Sequence, residues 1–139
     1  MDKLVDDHSL DPFDFETISK HLETVDCPGC QNQMGAYYNN LKDYDNAILW
    51  FRKAVKHNLL IAKHNLACNL YMKGETKEGR EWFFKAAEEG YPASLFYMGK
   101  IYEQEDDFRA IGYIRRSAKL GFQQAIDLIK DYGLESILE

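Results

Sequence analysis

Trp50-Phe51-Arg52-Lys53-Ala54-Val55 returns 32 residues later as Trp82-Phe83-Phe84-Lys85-Ala86-Ala87, and 31 residues after that as Tyr113-Ile114-Arg115-Arg116-Ser117-Ala118. The register extends beyond the blocks. Ala47, Gly79 and Ala110 precede each leading aromatic by three, and Asn58, Gly90 and Gly121 follow it by eight. Self-similarity at a fixed period of this length marks an array of supersecondary units that bury their apolar faces against one another.

A second set of positions marks the helix that precedes each block. Ala62-Lys63-His64-Asn65-Leu66-Ala67-Cys68-Asn69-Leu70-Tyr71 is echoed at a shift of 31 by Ala93-Ser94-Leu95-Phe96-Tyr97-Met98-Gly99-Lys100-Ile101-Tyr102, with a looser copy through Met34 to Tyr38. Lys73-Gly74-Glu75 and Glu105-Asp106-Asp107 break the pattern between the two sets, so each unit reads as two helices and a short turn. Asn58, Gly90 and Gly121 stand where a left-handed terminating residue is wanted, which glycine and then asparagine supply most readily. Helices are expected near 12–26, 31–41, 44–57, 60–72, 77–89, 92–104, 108–120 and 122–131.

Outward from the repeats, Asp11 and Pro12 suit a helix start, and Phe15, Ile18, Leu22 and Val25 then make one apolar stripe. Pro28 and Gly29 interrupt that helix. Residues 1–28 are therefore read as an N-terminal segment with a capping helix and 29–139 as the repeat domain, with units of about 29–58, 59–90 and 91–121 and a C-terminal cap over 122–139. Trp50, Trp82 and Tyr113 are expected at equivalent buried positions. Gly79 and Gly112, inside helices, are expected where backbones approach closely.

Ala93, Tyr97, Gly99 and Tyr102, then Ala110, Tyr113, Ser117-Ala118 and Gly121, resemble the Sel1-like repeat, a relative of the tetratricopeptide repeat. The middle unit resembles it through Ala62, Leu66, Ala67, Leu70, Tyr71, Gly79, Trp82, Lys85-Ala86-Ala87 and Gly90; the first unit is degenerate, with Asn58 in place of the terminal glycine. The resemblance covers about residues 30–130. It implies an all-α fold, an alpha/alpha superhelix of about three hairpins whose first helices line a concave surface used to bind protein partners, and it implies no catalysis. Secreted members staple each hairpin with a cysteine pair. Cys68 has no mate at that spacing, which points to an intracellular member.

The composition agrees with a folded chain: 139 residues, 45% hydrophobic, with nine Tyr, eight Phe and two Trp. Seventeen basic against twenty-three acidic residues give a net charge of -6, and no dense basic stripe is present, so nucleic acid is not expected as a partner. The acidic opening, MDKLVDDHSL, does not read as a secretory signal, and no apolar run is long enough to span a bilayer. Three cysteines are too few for a disulfide scaffold, which favours a cytoplasmic setting.

Cys27-Pro28-Gly29-Cys30 is the most obvious chemical candidate, since two thiols at this spacing can ligate zinc or cycle through a disulfide. Zinc would need further ligands from His21, His57, His64 or Cys68, and an all-helical chain lacks the sheet that usually carries a redox pair. The turn is therefore read as structural, with a zinc or redox protein as the alternative. No nucleophile, base and orienting group stand at a usable spacing, no phosphate-binding loop is present, and no cofactor is expected.

On a helical projection of 62–72, Ala62, Leu66, Ala67 and Leu70 fall on one side, while His64, Asn65, Cys68, Asn69 and Met72 fall on the other. Carried into the neighbouring units, that second face selects Tyr37, His64, Asn65, Asn69, Phe96 and Lys100 as a protein-binding surface with two aromatic anchors. The expected occupant is a protein or peptide, a basic one being compatible with the net charge, and self-association is a further option. A role as adaptor, regulator or small inhibitor fits equally.

Overall fold

The computed structural model describes residues 17, 19–21, 24 and 26–139. From Pro28 onward the chain forms α1 (Pro28–Asn40), α2 (Tyr44–Val55), α3 (Leu60–Lys73), α4 (Thr76–Glu88), α5 (Pro92–Gln104), α6 (Arg109–Lys119) and α7 (Gln123–Asp131), then a 3-10 turn over Glu135–Leu138. Helices α2 to α7 lie within two residues of their expected ends. Helix α1 starts three residues early. Proline is well suited to the first helical position, where its missing N–H has no partner to lose, so Pro28 opens the helix with Cys27 as its cap. Thr17, Ser19, Lys20, His21 and Thr24 are helical, as expected. The apolar stripe of Phe15, Ile18, Leu22 and Val25 lies outside the described residues.

The turns reveal the true period. Each first helix ends on a left-handed residue, Lys42, Gly74 or Asp106 (φ 61°, 98° and 55°). The next amide then reaches back to the carbonyl of Tyr38, Leu70 or Tyr102 at 2.9, 2.8 and 2.9 Å. These marks are 32 residues apart throughout. The second helices end at Asn58, Gly90 and Gly121, also left-handed, at intervals of 32 and then 31. The missing residue thus lies between Asp106 and Ala110, in the turn before α6. Helices α3 and α5 correspond at a shift of 32, one residue away from the 31-residue echo that the sequence displays.

Each helix packs on its neighbours in sequence, and α1 also reaches α3. The second helices supply the central wedge at Phe51, Phe83 and Ile114, all buried. Trp50 is buried, but Trp82 and Tyr113 are only half-buried, which corrects the expectation of three equally buried anchors. Their outer faces carry cations instead: Lys53 over Trp50 and Lys85 over Trp82, each at 4.3 Å, and Arg116 over Tyr113 at 5.7 Å.

Close approach is enforced where the wedge meets the first helix. A Cβ on Gly35 would lie 2.5 Å from the Phe51 ring, and one on Gly99 would lie 2.5 Å from Ile114. Gly79 is pressed in the same way, 2.6 Å from the Tyr71 ring and 3.1 Å from the Ala67 carbonyl. Gly112 has nothing within 4 Å, so close packing does not explain it. Ion pairs bridge successive units: Arg52 grips Glu78 with two bonds of 2.6 and 2.9 Å, and Arg80 grips Glu105 with 2.6 and 3.0 Å; the buried Lys63 pairs with Glu89 inside the middle unit and donates to Asn58 of the first.

Candidate protein-binding cleft

Helix α3 has neighbours on nearly every side, and Ala62, Lys63, His64, Leu66, Ala67, Asn69 and Leu70 are all buried. What it leaves open is a narrow stripe, Ile61, Asn65, Cys68 and Met72, at the three- and four-residue spacing of one helical face. Thirty-two residues on, the same stripe of α5 holds Ala93, Tyr97, Lys100 and Gln104. Thirty-two residues earlier, α1 offers Gly29, Gln33, Ala36 and Asn40, with the exposed Tyr37 beside them.

Between the stripes of α3 and α5 opens a cleft of about 500 Å³. Tyr71, Phe83, Phe96 and Tyr97 supply rings, Met72 and Ile101 supply aliphatic surface, and Cys68, Lys100 and Gln104 are its polar groups. Met72 is 64% exposed and Tyr97 38%, so the apolar lining is open to solvent. The rings support one another, with Phe83 against Tyr71 and Tyr97 at 5.4 Å each and Phe96 against Tyr97 at 5.7 Å and Phe122 at 5.4 Å. Lys100 is tied to Glu103 at 2.7 Å, so it is a paired rim charge.

His64 forms part of the wall behind this cleft. Its ring lies 5.0 to 5.5 Å from those of Tyr91, Phe83 and Tyr97; Nδ1 is 2.7 Å from Ser94 Oγ and Nε2 is 3.5 Å from Cys68 Sγ. Desolvation lowers its pKa to about 4, and burial raises that of Cys68 to about 11. A nucleophilic cysteine needs the opposite arrangement, a thiolate beside an imidazolium. This Cys–His pair is neutral on both sides at pH 7, and it serves to satisfy buried polar atoms.

Of the six residues selected from the sequence, Phe96 and Lys100 line the cleft. Tyr37 is exposed on α1, in edge contact with Tyr38 at 5.6 Å. Asn65 donates to Asn32 Oδ1 at 3.1 Å and so joins α3 to α1. His64 and Asn69 are corrections: both are buried, because an inner first helix is covered on the flanks that a two-sided projection leaves open. Asn69 donates to the Asn65 carbonyl at 2.9 Å, while its buried Oδ1 has no partner. The projection missed Tyr71, Phe83, Tyr97, Ile101 and Gln104. The 32-residue period would have found Tyr97 and Gln104, as counterparts of Asn65 and Met72.

Cys27 and Cys30, read from the sequence as a structural turn with a zinc or redox pair as the alternative, are joined by a disulfide. His57 pairs with Asp26. Among the described residues no three His, Cys, Asp or Glu side chains converge as a metal site. No described helix is long and apolar enough to cross a membrane.

This architecture has a counterpart among solved structures, the crystal structure of a Sel1 repeat protein from Oxalobacter formigenes. The two share 30% sequence identity and superimpose with a TM-score of 0.67 over 80% of the present chain. The chain is built of Sel1-like repeats. It spans about half of that relative's length, 52%. No protein-family model and no curated protein matches it. The Sel1-like array is thus recognised through its fold and its spaced positions, with α1–α2, α3–α4 and α5–α6 as successive hairpins and α7 packed on α6 after them.

Proposed function

We propose that this Sel1-like array is a non-enzymatic protein-binding module, and that its binding site is the aromatic cleft between α3 and α5. The observation that carries this reading is the exposure of Met72 and Tyr97 beside Phe96 in one cleft whose rings brace one another. Solvent-facing rings held rigidly by their neighbours suit recognition, because they bury large area on binding with little loss of rotamer freedom. The occupant is an extended protein segment with an apolar side chain for the cleft, and the net charge of -6 steers basic flanking residues towards it. No nucleic acid, membrane or cofactor enters this reading.

Selection of displayed peptides on the intact chain, followed by calorimetric titration, tests it. Tyr97→Ala and Phe96→Ala should each weaken a selected peptide by about 1 to 3 kcal/mol, and Lys100→Ala by less than about 1. Unchanged affinity in both ring variants, with helical content intact, would move the site away from this cleft.

A further inference from the structure

The Cys27–Cys30 bond is not used by the binding module, and its surroundings suit chemistry rather than stapling. It closes a loop of only two intervening residues, so it ties no helix to another. Cys27 is the cap of α1, and its sulfur accepts the Cys30 amide at 3.3 Å. No acidic residue stands in the first turn of α1 to oppose negative charge there, and the neighbouring Asp26 carboxylate is engaged by His57. Both cysteines are half-buried rather than enclosed. Gly29 between them is exposed, with open space where a side chain would stand, so an incoming sulfur has a path to the bond. A thiolate at a helix start is stabilised by the free amides and the positive end of the helix dipole.

We propose that Cys27 and Cys30 form a thiol–disulfide exchange site for a low-molecular-weight thiol of the glutathione class, with Cys27 as the attacking sulfur. In the oxidising direction the Cys27 thiolate attacks one sulfur of the small disulfide. The first small thiolate leaves and takes up a proton, and Cys27 is left in a mixed disulfide. Cys30 then loses its proton and attacks Cys27 Sγ, the protein disulfide forms, and the second small thiolate leaves. Two protein thiols and one disulfide become one protein disulfide and two thiols; reduction is the reverse. The site lies at the head of α1, one turn before Asn32, which bonds to Asn65 of α3.

The test equilibrates the intact chain with reduced and oxidised glutathione in varied ratio, quenches with acid, alkylates free thiols and reads intact mass. One transition is expected, in which Cys27 and Cys30 pass together from bonded to doubly alkylated, while Cys68, half-buried and held protonated, is alkylated more slowly and independently of the glutathione ratio. In Cys30→Ser the mixed disulfide of Cys27 with glutathione should accumulate, and in Cys27→Ser that of Cys30 should form about tenfold more slowly. A bond that persists at every glutathione ratio would overturn exchange and make the pair a fixed staple. A reduced pair that does not close under oxidised glutathione would overturn it as well. Equal rates in the two variants, both shown to be helical by circular dichroism, would overturn the role given to Cys27.

Discussion

At the residue scale, the imidazole of His64 is the most telling group. Its folded pKa of about 4 lies below the ordinary 6.5 because burial disfavours the cation. As pH falls below 6.5 the unfolded chain takes up a proton that the folded chain refuses, so the His64 contribution to stability declines from pH 6.5 to about 4 and is level below. The shift corresponds to about 3 kcal/mol over that window, and a chain with His64→Gln should lose this slope in denaturant melts repeated across pH. An unchanged slope would place the titrating group elsewhere. Glu78 answers to a lower window: the Arg52 guanidinium holds its carboxyl at about 2, so its contribution is present above pH 4.5 and fades below that. The burial pattern predicts a further contrast. Phe83→Ala should cost about 3 to 5 kcal/mol, since it empties the central wedge, whereas the half-buried Trp82→Ala should cost about 1 to 2.

At the scale of the element, the helical Gly99 and Gly112 separate packing from propensity. Gly99→Ala forces a methyl into Ile114 and should destabilise by about 1 to 3 kcal/mol, while Gly112→Ala meets open space and should stabilise by about 0.5 to 1. Thermal melts of both variants check this, and equal shifts would refute the difference in packing. Helix positions were legible in the sequence because each end carries its own chemistry, Gly90 and Gly121 at the second-helix stops and Gly74 or Asp106 at the first. The register between α3 and α5 was not. Ala62 and Tyr71 echo Ala93 and Tyr102 at 31 residues by coincidence of type, while burial pairs Ala62 with Ser94 and Leu70 with Tyr102 at 32. That single residue moved the inferred surface by about 100° on α5 relative to α3, which is why Lys100 was aligned with the buried Asn69 when its counterpart is Cys68. Phe96 was found all the same, since it borders the open stripe. Nor could the projection show that α3 is enclosed, because enclosure comes from helices in other units.

At the scale of the whole molecule, stability should be graded along the array. In repeat proteins each unit contacts only its neighbours, so opening a terminal unit breaks one interface and opening a central unit breaks two. Helices α3 and α4 have packed helices before and after them, and Ala67 and Phe83 join the largest apolar cluster with Leu95, Met98 and Tyr102. At the far end, α6 and α7 have the 3-10 turn as their last neighbour, held where Arg115 Nε donates to the Ile137 carbonyl at 2.6 Å. A cavity of about 360 Å³ remains there beside Phe108, which is 90% exposed, and Ile111. The ion pairs from Arg52 to Glu78 and from Arg80 to Glu105 tie second helices to the units that follow, whereas the charged side chain that α6 sends forward, Arg115, meets a backbone carbonyl. Amide hydrogen exchange should therefore be slowest in α3 and α4 and faster in α6 and α7, the end opening without the middle. Arg115→Ala should raise exchange in α6, α7 and 134–138 and leave α3 at the wild-type rate. Uniform protection from α3 to α7, or equal acceleration in α3 and α7 on that substitution, would mean that the chain unfolds as one block and that its repeats do not act as separable units.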